Sequence, residues 1–136
     1  MNKNPAIRYC EIEDIRMKAG FEKATNLADR YVRDARRDAQ AEINSALRDR
    51  YTVPFTPVPE MIRTLTIKLA AYTLKHDAIG DVSSREALKA LRLQLADLAS
   101  GETGLVDDNG TDLDGSEGVS GYFGDEPRMF SVSQRF

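Results

Sequence analysis

Apolar positions recur at helical spacing along most of the first hundred residues, and the recurrence breaks at identifiable places. In "CEIEDIRMKAG", residues 10–20, Ile12, Ile15 and Ala19 stand at offsets 0, 3 and 7, and Gly20 falls where a helix ends in a left-handed residue. This predicts a short helix after an extended start. Asn26 can cap a second helix with Asp29 in its first turn, and Val32, Ala35, Ala39, Ile43, Ala46 and Leu47 continue a stripe as far as Arg50. The lining is mostly alanine, so this helix can approach a neighbour closely while burying little area itself.

Pro59 suits the first position of a third helix, where its missing N–H costs nothing, and Glu60 complements the positive end of the dipole. From Met61 to Leu74 apolar residues cover most of the circumference, which predicts a central helix, and His76 closes it at the negative end. Ser83 and Glu86 form a capping box for a fourth helix, in which Ala87, Leu88, Leu91, Leu95 and Leu98 keep the period until Ser100-Gly101 stops it. The fold class expected is all-α, a small bundle of about four helices. Its core should pack Leu65, Leu69 and Tyr72 against Leu88, Leu91 and Leu95.

The second and third helices are joined by "RYTVPFTPVPEMIR", residues 50–63, with prolines at 54, 57 and 59. Closely spaced prolines fix φ and push Val53, Thr56 and Val58 into extended conformations, whereas a flexible linker would be built of glycine and serine. The joint is predicted to hold an angle.

Beyond residue 100 the pattern changes. Residues 101–127 hold seven of the nine glycines and eight acids, without Lys or Arg, a composition that predicts a mobile acidic loop. In "RMFSVSQRF", residues 128–136, Phe130, Val132, Gln134 and Phe136 alternate with polar residues, as in a strand or extended peptide. The division expected is therefore a helical domain over 1–100, an acidic loop over 101–127 and an extended tail over 128–136. Charge follows the same division: residues 1–99 carry 17 Lys and Arg against 14 Asp and Glu, residues 100–136 carry 2 against 8, and the whole chain is −3.

Composition narrows the chemistry. One cysteine, Cys10, and one histidine, His76, leave almost no material for zinc or for nucleophilic catalysis, and no serine or cysteine sits in a recognisable nucleophile setting. Neither an enzyme nor a cofactor is expected. Setting Gly110 at the sixth position of a calcium loop puts Leu105 and Ser116 at positions 1 and 12, and Gly115 puts Gly110 and Gly121 there, so the carboxylates that calcium requires are missing. Apolar runs are far shorter than the roughly twenty residues of a membrane span, and the N-terminus lacks a signal-peptide core, so a cytoplasmic site of synthesis without membrane contact is expected. Arg30, Arg33, Arg36 and Arg37 cluster on the second helix, where the spacing predicts pairs Asp29–Arg33 and Asp34–Arg37. The cluster can be a salt-bridged face, a subunit contact or a nucleic-acid site.

The block "DAQAEINSALRDRYTVPFTPVPEMIRTLTIKLAAYTLKH" resembles the central part of the Mu-like prophage head-to-tail connector family. The residues that carry the resemblance are Asp38, Ala39, Glu42, Ile43, Arg50, Tyr51, Pro54, Val58 and Pro59, with "YCEIEDI" before and the Phe-Ser ending after them. The resemblance implies a structural virion protein, an adaptor in the neck of a tailed phage assembled in the host cytoplasm. Related adaptors form closed rings of roughly twelve subunits. The implied partners are the chain itself, the portal protein and a downstream neck or tail-completion protein, with DNA passing through the channel without sequence-specific binding. In this reading Arg128, Met129, Phe130, Val132, Arg135 and Phe136 meet the portal. Arg30, Arg33, Arg36, Arg37, Pro54, Phe55 and Pro57 are the subunit-interface candidates. The competing function is a small helical nucleic-acid-binding regulator that uses the arginine cluster.

Overall fold

The computed structural model describes residues 7–21, 23–24 and 26–113. Four helices follow one another: α1 (Ile12–Ala19), α2 (Asp29–Leu47), α3 (Glu60–Ile79) and α4 (Val82–Ser100). The all-α bundle expected from the periodicity is the fold. α2 and α3 form its central pair and pack against each other. α1 packs on one side of the pair and α4 on another, so that α1 and α4 do not meet.

The core explains this arrangement. α3 buries Ile62, Leu65, Thr66, Leu69, Ala70 and Ala71, and the Thr66 hydroxyl is satisfied by donating to the Ile62 carbonyl at 2.8 Å. α4 contributes Leu88, Leu91, Leu95 and Leu98. Tyr72 departs from expectation and stays half-buried. The alanine-rich α2 is more central than its thin stripe suggested, because Ala35 and Ala39 let it approach while Val32, Ile43 and Leu47 fill the interior at 0% exposure.

Helix ends differ in detail from the sequence reading. α2 is preceded by Ala28, not Asn26, and the expected Asp29–Arg33 pair is replaced: Arg16 of α1 reaches Asp29 at 2.7 Å and donates to the carbonyls of Ala24 and Leu27. One guanidinium thus ties α1, the 20–28 loop and the start of α2. α4 is capped by Asp81, whose carboxylate accepts from the Ser84 N–H at 3.3 Å, in place of the Ser83–Glu86 box. Asp81 stands one residue before the helix with extended φ and ψ, the conformation a cap requires. Pro59 occupies the cap of α3 and Glu60 its first position. Gly20, Gly80 and Gly101 close α1, α3 and α4 with positive φ.

The largest correction concerns the acidic loop. Over residues 101–113 it is anchored to the bundle: Leu105 is 0% exposed and belongs to the core and Leu113 packs against it, while residues 101–104 and 108–112 are exposed. Val106 and Asp112 form an antiparallel bridge around a tight turn in which the Asp107 carboxylate accepts from the N–H groups of Asn109 and Thr111, and Gly110 takes φ +86°. "DDNG" is a hairpin turn sequence, and Leu105 and Leu113 on its flanks anchor it. The remaining loop and the tail lie outside the described residues.

Candidate assembly surfaces

The motif residues converge on the end of the bundle where α2 finishes, α3 begins and α4 finishes. Tyr51 and Phe55 turn inward, 3% and 4% exposed, and Phe55 stands with its ring centroid 6.2 Å from Tyr51 and 6.1 Å from Tyr9. The Tyr9 hydroxyl donates to the Asn44 side-chain carbonyl and accepts from the Phe55 N–H at 3.0 Å. It therefore clamps the N-terminal segment, α2 and the proline joint at one oxygen. Burial raises the phenol above its ordinary value, against the opposing pull of those two bonds. The extended N-terminal segment is further held by Gln40, which accepts from the Tyr9 N–H at 2.8 Å and donates to the Ile7 carbonyl at 3.1 Å.

Arg50 reaches across to α4, where its guanidinium donates to the carbonyls of Ala99 and Ser100 at 3.3 Å each. A cation at the negative end of a helix satisfies carbonyls that have no intrahelical partner. From the other side, the Asp108 carboxylate accepts from the Glu60 N–H at 2.9 Å and caps the positive end of α3. Glu42 adds an ion pair from α2 to Arg92 of α4 at 2.8 Å. Together these contacts hold the angle of the joint.

The interface candidates fall into two groups. Pro54 and Pro57 are exposed and, with Thr52, Thr56, Asp107 and Leu113, line a cleft of about 220 Å³ between the joint and the hairpin. Phe55 also borders that cleft but is a core residue, because its ring completes the aromatic contact with Tyr9 and Tyr51. On α2, Arg30 stacks over the neighbouring Tyr31 ring at 5.0 Å. Arg33, Arg36 and Arg37 come together with Arg8 and Ile7 around a groove of about 330 Å³. Within it Arg36 donates to the Cys10 carbonyl at 3.1 Å and Arg37 pairs with Asp34 at 3.4 Å, as the spacing predicted. The portal-contact candidates Arg128, Met129, Phe130, Val132, Arg135 and Phe136 lie outside the described residues.

Buried Cys10 has its thiol pushed up to about 12, first by desolvation, which makes it a poor nucleophile. Among the described residues no three His, Cys, Asp or Glu side chains gather as a metal site, and no helix is long and apolar enough to cross a membrane. The roles of Tyr9, Gln40, Asn44 and Asp108 escaped the sequence reading. Polar residues at 40 and 44, one turn apart on α2, were the available signal for a hydrogen-bonding face.

The motif residues thus build the internal frame of a small all-α module. A family model described as "Bacteriophage Mu, Gp36" matches residues 9–120, from the Tyr9 clamp through the hairpin, and the chain belongs to that family. This makes it a Mu-like phage protein and points to a structural or assembly role. No curated protein matches the chain significantly.

Proposed function

We propose that the chain is a head-to-tail connector of a tailed phage, an adaptor beneath the portal that joins head to tail and continues the DNA channel as a ring of roughly twelve copies. The family match over residues 9–120 carries this reading. The braced joint supports it physically: around a closed ring each subunit repeats its contacts, so an angular error between α2 and α3 would accumulate and prevent closure. The tail at 128–136 is the portal contact, adding as an extended strand to a partner's exposed edge. The adaptor carries out no catalysis and needs no cofactor; its other partner is a downstream tail-completion protein.

The test is light scattering of the full chain alone and with the portal protein of the same phage, repeated after deleting residues 128–136. A discrete oligomer, and portal binding that the deletion removes without changing helical content or melting temperature, is the expected result. A chain that stays monomeric in both settings refutes the reading. A large drop in melting temperature with portal binding intact rejects docking by the tail. Steeply salt-dependent affinity for duplex DNA would favour the nucleic-acid regulator instead; the engagement of Arg36 and Arg37 within the subunit weighs against it.

A further inference from the structure

The bundle carries two charged faces of opposite sign at different heights along α2. Near its start, the groove around Arg8, Arg33, Arg36 and Arg37 holds one acid, Asp34, and Ile7 at its edge is 38% exposed. Near its end, the hairpin carries Asp107, Asp108 and Asp112 with Val106 44% exposed, and Glu102 precedes it at the end of α4, where the Arg50 guanidinium is the neighbouring cation. No Lys or Arg occurs from residue 93 to 127.

We infer that these faces are the two halves of one heterologous contact, with the hairpin of one copy seated in the arginine groove of the next. The inference rests on the ring reading above and names its interface. Among the described residues the ion pairs of the groove's arginines go to Asp34 and Asp38, and none of them joins the two faces within one chain. A second copy brings them into contact, and it does so head to tail, the polarity that generates rings. Each face also matches the anatomy of an interface: an exposed aliphatic residue, Ile7 or Val106, surrounded by charge. Several of these charges already have structural work, since Asp108 caps α3, Asp107 holds its own turn and Arg36 holds Cys10. That work fixes both faces before association, which lowers the entropy lost on binding. Arg8 and Arg33 on one side and Glu102 on the other are the residues through which charge can be reversed without touching those bonds.

The test uses the full chain in three forms: Arg8→Glu/Arg33→Glu, Glu102→Arg, and all three substitutions together. Folding is checked by circular dichroism, assembly by sedimentation velocity, and duplex DNA binding by fluorescence anisotropy. Each set of substitutions alone should weaken the oligomer while keeping the fold. Mixing the two variants, or combining them in one chain, should recover part of it, because the charge at position 102 is then opposite to those at positions 8 and 33, while the hairpin as a whole stays acidic. Folded variants that assemble like the unsubstituted chain overturn the inference and leave the ring reading standing. If the unsubstituted chain forms no oligomer either alone or with the portal protein, the ring reading fails, and this contact with it. If Arg8→Glu/Arg33→Glu loses DNA binding while assembly is unchanged, the groove is a nucleic-acid site and the inference is overturned. Should a variant misfold, Arg33→Gln, which removes charge without reversing it, is read in its place, and an oligomer no weaker than that of the unsubstituted chain counts against the contact.

Discussion

Removing one oxygen atom from Tyr9 tests whether the joint is held as described. In Tyr9→Phe the ring keeps its place against Phe55, 6.1 Å between centroids, so apolar burial is nearly unchanged. The Phe55 N–H, bonded to that oxygen at 3.0 Å in a buried setting, loses its acceptor. An orphaned buried donor costs about 1–3 kcal/mol. Asn44 is only half-buried, so its carbonyl can recover a water and adds little. Relief of the buried hydroxyl's own desolvation offsets part of the sum, which leaves about 2 kcal/mol. At roughly 4–8 °C per kcal/mol for a small domain, the melting temperature should fall by about 10 °C. Thermal and urea unfolding followed by circular dichroism measures this, and amide exchange at Phe55 should accelerate. If Tyr9→Phe lies within about 0.5 kcal/mol of the unsubstituted chain, the oxygen does not clamp the joint and the account of its rigidity fails.

Leu69→Ala should cost about 2–5 kcal/mol in urea unfolding, since the side chain is 1% exposed at the centre of α3; an unchanged midpoint would show the core lies elsewhere. Gly101→Ala should destabilise by about 1–2 kcal/mol from its φ of +88° alone. The added Cβ, 2.8 Å from the Arg50 guanidinium, should also dislodge that cap, so the cost should shrink in an Arg50→Ala background. The Cys10 thiol should resist a disulfide reagent in the folded chain and react fully in denaturant. Because its folded value is raised from 9.0 to about 12, the stability it contributes is complete below 9 and lost as pH rises toward 12. A folded chain that titrates at the free-thiol rate, or whose urea midpoint shows no decline across that window, would contradict the burial.

The helices were determined locally. Leu65, Leu69, Leu88, Leu91 and Leu95 recur at helical spacing, and burying one face of each is the only way to remove that surface from water, so the α3–α4 contact follows from periodicity. Gly20, Gly80 and Gly101 end helices because they tolerate the left-handed conformation, and the prolines between Arg50 and Arg63 restrict the chain wherever they are placed. The long-range partners followed from none of this. Arg16 takes Asp29 in place of Arg33, Asp81 caps α4 in place of Ser83, Asp108 caps a helix 48 residues away in sequence, and Phe55 points inward where a surface residue was expected. A hydrogen bond or ion pair is decided by which group lies within about 3 Å, a distance fixed only after the helices have packed. Composition misled most over residues 101–113, because an average over glycines and acids cannot register that one leucine, Leu105, has a place in the core, and that place exists only once the helices have packed.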